Sequence, residues 1–146
     1  MYRFIHKPDH HLFVCALYGG GKPAEDFATH FRELRKAGLA AGQNRLTVVV
    51  LLRPGHPLPP PSARSEVAAL MSSGDVLADI AVISTNPVVR GVLTAVSWVK
   101  SGDMVTFRMF PTWAHASPWL EERRGGPLGP ADQLITELMH KPAMSA

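Results

Sequence analysis

The sequence predicts an α/β protein with a single mixed five-stranded sheet flanked by helices. Three observations carry that reading. Two runs, Leu12 to Tyr18 and Leu46 to Leu52, are almost wholly apolar. Strands covered on both faces read this way, whereas half-exposed strands alternate. Amphipathic stretches with helical spacing separate these runs, as crossovers between parallel strands require. A short strand joined by a tight turn precedes the first run, which adds one antiparallel strand to the sheet.

The elements follow in order. Tyr2, Phe4 and His6 alternate with Arg3, Ile5 and Lys7, and Lys7-Pro8-Asp9-His10 carries turn chemistry before the second arm of a hairpin over 2–18. Pro23, with Glu25 and Asp26 behind it, opens a helix over about 23–37. Its apolar stripe is Phe27, Phe31 and Leu34, with Gly38 as the expected stop. Leu46 to Arg53 is the next strand. Residues 54–61, Pro-Gly-His-Pro-Leu-Pro-Pro-Pro, cannot form a strand or helix interior and make a stiff connection. Ser62 is the expected N-cap of a helix over 62–73, with Val67, Leu70 and Met71 on one face and Gly74 as its stop.

The clearest local pattern runs from Asp79 to Gly102. Ile80-Ala81-Val82-Ile83 is a short buried strand, Thr85 or Asn86 a cap, and Pro87 the first helical turn. Val88, Val89, Val92, Val96 and Val99, widened by Leu93, form the predicted stripe, and Gly102 closes it. Met104 to Phe110 is the last strand. Pro111-Thr112 leads into a helix with Trp113, Ala116, Trp119 and Leu120, interrupted at Pro118, where it either kinks or restarts at Ser117. Arg123 to Pro130 has linker composition, and Leu134, Ile135, Leu138 and Met139 mark a tail helix too short to stand undocked. The order is β-β-α-β-α-β-α-β-α plus the tail. It divides the chain into an α/β domain over 1–124 and a linker with tail over 125–146.

Composition narrows the function classes. The chain has 146 residues, 46% hydrophobic and 18% charged, enough for one domain with its own core. Cys15 is the single cysteine, which excludes an intramolecular disulfide or a cysteine-cluster metal site. In its apolar run it reads as an inert core thiol. The net charge of +3 is spread over separate helix faces, so no nucleic-acid partner is expected. The opening residues lack an apolar segment of signal-peptide length, and Val48 to Leu52 is far below the ~20 residues that cross a bilayer. The expectation is a cytoplasmic protein without membrane insertion.

No catalytic or cofactor set stands out. Gly19-Gly20-Gly21-Lys22 lacks the hydroxyl residue of a phosphate loop, because Pro23 follows the lysine. The histidines at 6, 10, 11, 30, 56, 115 and 140 keep no metal spacing with acids or each other. No Cys-His pair has local sequence support. The three tryptophans, Trp98, Trp113 and Trp119, read as covering the edge of the core. Ser62 at a helix start could carry a phosphate where amides and dipole favour it, or serve as a plain cap.

Three stretches resemble STAS-like domains, the fold of the anti-sigma-factor antagonists. Leu51-Leu52-Arg53-Pro54-Gly55 with Pro60-Pro61-Ser62 is similar to their strand, glycine-containing loop and helix start. Ile83-Ser84-Thr85-Asn86-Pro87-Val88-Val89-Arg90-Gly91 looks like their fourth-strand exit and third helix. Phe107 to Thr112 with Trp119-Leu120 looks like their last strand and terminal helix. The likeness covers about residues 2–124. It implies a non-catalytic protein-binding module of bacterial signalling, whose partner is another protein such as a regulatory kinase or a sigma-system component. A homodimer is compatible with it. Ser62 becomes the candidate phosphoacceptor, although Pro61 stands where the family has an aspartate. His56, Leu58, Ser62, Ser65 and Arg90 become candidate partner contacts. The alternative is a small apolar-ligand or lipid-binding protein on a related sheet, lined by the many Val, Leu and Met residues.

Overall fold

The computed structural model describes residues 1–56, 61–91 and 104–140. Five strands form one sheet: β1 (Tyr2–Lys7), β2 (Leu12–Leu17), β3 (Leu46–Leu52), β4 (Ala78–Ile83) and β5 (Val105–Phe110). The α-helices are α1 (Pro23–Ala41), α2 (Pro61–Ser72), α3 (Trp113–Arg124) and α4 (Ala131–Met139), residues 87–91 are helical as well, and a short 3-10 turn, Pro8–His10, joins β1 to β2. The strand order is β1-β2-β3-β4-β5. β1 runs antiparallel to β2, with Tyr2 opposite Leu17, and β2 to β5 are parallel. The mixed α/β sheet expected from the sequence is therefore present.

β2, β3 and β4 are buried along their whole length because both faces are covered. On one face Phe13, Cys15, Leu17, Val48, Val50, Ile80 and Val82 pack with Phe27 and Leu34 of α1 and Val67 and Leu70 of α2. On the other, Leu12, Val14, Ala16, Val49, Leu51, Ala81 and Ile83 pack with Ala116 and Leu120 of α3 and Leu134, Ile135 and Leu138 of α4. The segment that reads as linker and tail thus contributes to the second core. The Tyr18 hydroxyl donates to the Leu138 carbonyl at 2.5 Å and fixes the end of α4 against β2.

Several boundaries differ from the sequence expectation for physical reasons. α1 continues past 37 to Ala41 and is capped at Gly42. Gly38 is a contact residue inside the helix: a β-carbon there would lie 2.6 Å from Val76 Cγ1. α2 begins at Pro61, so Ser62 is its second residue and not its N-cap. Val88 is 59% exposed while Val89 is 1% exposed. The predicted stripe joined them, but neighbouring helical residues point about 100° apart. Asn86 is the cap of the two candidates, its Oδ1 accepting the Val88 amide at 3.0 Å. α3 runs through Pro118 without a restart, and Thr112 caps it by accepting the His115 amide. The side chain of Met71 and the residues Leu58, Val92, Leu93, Val96, Trp98, Val99 and Gly102 lie outside the described residues.

Candidate functional site

In an open α/β sheet, the crevice outside the carboxyl ends of the parallel strands is the usual place for a ligand or partner. Here that edge is built by the exits of β3, β4 and β5. After β3, the chain turns through Arg53-Pro54-Gly55-His56, with the His56 amide donating to the Arg53 carbonyl at 3.2 Å. Gly19, just after β2, approaches this turn so closely that a β-carbon would sit 2.6 Å from the Gly55 oxygen. The glycine run is therefore a packing turn.

After β4, side-chain hydrogen bonds hold the chain. The Asn86 amide donates to Ser84 Oγ at 3.1 Å, the Val88 amide to Asn86 Oδ1, and Arg90 Nη1 to the Ser84 carbonyl at 2.7 Å. Ser84 is 2% exposed, whereas Thr85, Asn86, Pro87 and Val88 face outward. After β5, Thr112 opens α3, and its Oγ1 lies 2.6 Å from His115 Nδ1. A cavity of about 110 Å³ lies among these exits, lined in part by Arg53, Ser84, Thr85, Thr112, Trp113 and Met139.

The residues singled out from the sequence map onto this edge unevenly. His56 is half-buried at the β3 exit. Ser62 and Ser65 are exposed in the first turns of α2, and the Ser62 hydroxyl makes no hydrogen bond to another described residue. Arg90 is half-buried, and one of its nitrogens is committed to the Ser84 carbonyl, so part of its role is to hold the β4 exit. No hydrogen bond or ion pair joins Ser62 or Ser65 to Arg90 among the described residues. Leu58 lies outside them. Trp113 donates to Asp132 Oδ1 at 2.7 Å and Trp119 packs on Phe110, so both cover core edges.

Two polar clusters escaped the sequence reading. The first lies under α1. His30 Nδ1 is 3.1 Å from the Tyr2 hydroxyl and 3.6 Å from Cys15 Sγ. Helical spacing from Phe27 would have placed His30 on the buried stripe. Burial pushes the Cys15 thiol up to about 12, raises the Tyr2 phenol, and lowers His30 to about 4. All three groups are neutral at pH 7, whereas a nucleophilic Cys-His pair works as thiolate and imidazolium. The cluster is part of the core, and Cys15 is 0% exposed. An apolar cavity of about 40 Å³ beside His30 lies between α1, α2 and the sheet. That is far below the ~300 Å³ at which pockets for drug-sized ligands begin.

The second cluster sits at the opposite, amino edge. Asp79, 2% exposed, accepts from Arg45 Nη1 at 3.2 Å, from Arg123 Nε at 3.1 Å and from the Thr106 hydroxyl. It ties the starts of β4 and β5, the approach to β3 and the end of α3 together. Among the described residues there is no group of three or more His, Cys, Asp or Glu placed to hold a metal ion. No helix among them is long and apolar enough to cross a membrane.

No family model, curated protein or solved structure matches the chain.

Proposed function

We propose that the protein is a non-catalytic, STAS-like protein-binding module of cytoplasmic bacterial signalling, and that it engages its partner with the carboxyl edge of the sheet. The observation that carries this reading is the β4 exit. Arg90 and Asn86 hold that turn by hydrogen bonds to Ser84 and Val88, and Thr85, Pro87 and Val88 stand outward from it. A partner that docks there meets a surface already ordered, so little conformational entropy is lost on binding. The neighbouring β3 exit leads through His56 to the exposed Ser62 and Ser65. The sheet order and the hairpin start also fit a STAS-like arrangement.

A phosphate on Ser62 would lie in the first turn of a twelve-residue helix, where backbone amides favour it. Ser62→Asp approximates that charge. It is expected to change the amount of partner captured from the source cell by severalfold and to leave the thermal unfolding midpoint within a degree or two. If both forms retain the same partners in equal amounts, Ser62 has no place in the surface. The lipid-binding alternative draws less support, because the cavity under α1 and α2 is too small for an acyl chain.

A further inference from the structure

The crevice at the carboxyl edge carries chemistry that a protein-docking surface does not need. Its apolar wall includes Ile83, Trp113 and Met139, and its polar groups converge from three strand exits. Arg53 is the cation. Its Nη1 lies 3.2 Å from the Met139 sulfur, and no carboxylate among the described residues forms an ion pair with it. A thioether is a weak acceptor, so this guanidinium keeps its capacity for a charged ligand. Ser84 is 98% buried from solvent, and its oxygen takes the Asn86 amide. Its hydroxyl proton has no acceptor among the described residues. Thr85 brings another hydroxyl to the same wall, and Thr112, whose hydroxyl is already hydrogen-bonded to His115, borders it. Thr112 also begins α3, whose first amides point outward from the helix.

We infer that this crevice is a binding site for a small oxyanion, a phosphate or carboxylate group with at most a short apolar body. The oxyanion lies against Arg53, Ser84, Thr85 and the start of α3 at Thr112, and the body against Ile83, Trp113 and Met139. The volume of about 110 Å³ suits one such group and excludes a nucleotide or a lipid. The site shares Thr85 with the docking surface proposed above but rests on its own observations, and its test needs no protein partner.

The test titrates the ¹⁵N-labelled full chain with inorganic phosphate and, separately, with butyrate, against sodium chloride at matched ionic strength. Saturable amide shifts at Arg53, Ser84, Thr85 and Thr112 to His115 are expected with at least one probe. Saturation by phosphate alone assigns a phosphate ligand, and saturation by butyrate alone a carboxylate. Arg53→Met is expected to weaken binding about tenfold, the size of a lost charged hydrogen bond. Thr85→Val, at an exposed position, is expected to weaken it about fivefold and serves as the test if Arg53→Met loses the fold. Shifts no larger than those with chloride would overturn the inference, as would equal binding by a folded variant.

Discussion

The two edges of the parallel sheet are made from the same strands and treat charge in opposite ways. At the amino edge, Asp79 is buried and accepts from Arg45, Arg123 and Thr106 at once. At the carboxyl edge, Arg53 rests on a thioether, and Ser62, Thr85 and Val88 face solvent. The first edge spends its polar groups internally and joins elements that would otherwise separate. The second keeps donors and an apolar side chain on its surface. On the function proposed above, stability and recognition sit at opposite ends of one sheet.

Acid weakens the core on which both edges rest, and this is the largest effect expected. His30 falls from an ordinary 6.5 to about 4 because burial disfavours its charged form. The unfolded chain binds the extra proton between those values, so stability is complete above about 6.5 and declines as pH drops through about 4. At about 1.4 kcal/mol per pH unit, the loss is about 3 kcal/mol. Denaturant unfolding of wild type and His30→Gln across pH 4 to 7 checks it. A variant whose stability falls as steeply as wild type would place the acid sensitivity elsewhere.

Breaking the amino edge comes next. Asp79→Ala leaves Arg45 and Arg123 without their shared acceptor. Their side chains are 32% and 37% exposed and can turn to water, so the cost is about 2 kcal/mol and not the full penalty of a buried unpaired charge. Chemical denaturation measures this, and oxyanion binding at the other edge should be unchanged. A collapse of both properties together would show that the edges are not separable.

The sequence made one of these edges easier to see than the other. The strands were legible because Val48 to Leu52 and Ile80 to Ile83 need cover on both faces, and periodicity reports that directly. Helix ends were less so. Gly38 has the composition of a stop, yet it is a contact point for Val76, and only the packing distinguishes the two. The cap Asn86 was among the expected pair because its chemistry is local. Asp79, by contrast, draws its partners from positions 45, 106 and 123, and nothing in a linear reading brings these together. The crevice was hidden for the same reason: Arg53, Ser84 and Thr112 leave different strands and meet only through the register of the sheet. Ser62 and Arg90 were picked out individually, but the hydrogen bond from Arg90 to the Ser84 carbonyl, which gives the turn its shape, was not.

The smallest effect on stability should accompany the largest effect on recognition. Val88→Asp alters a side chain that is 59% exposed, so unfolding free energy should change by no more than about 0.5 kcal/mol. The decisive measurement compares quantitative partner capture from the source cell by wild type, Val88→Asp and Asp79→Ala, each confirmed folded at the capture temperature. The account predicts that Val88→Asp loses partners that wild type and Asp79→Ala both retain. Retention of the same partners by Val88→Asp, or their loss only from Asp79→Ala, would contradict the assignment of recognition to the carboxyl edge.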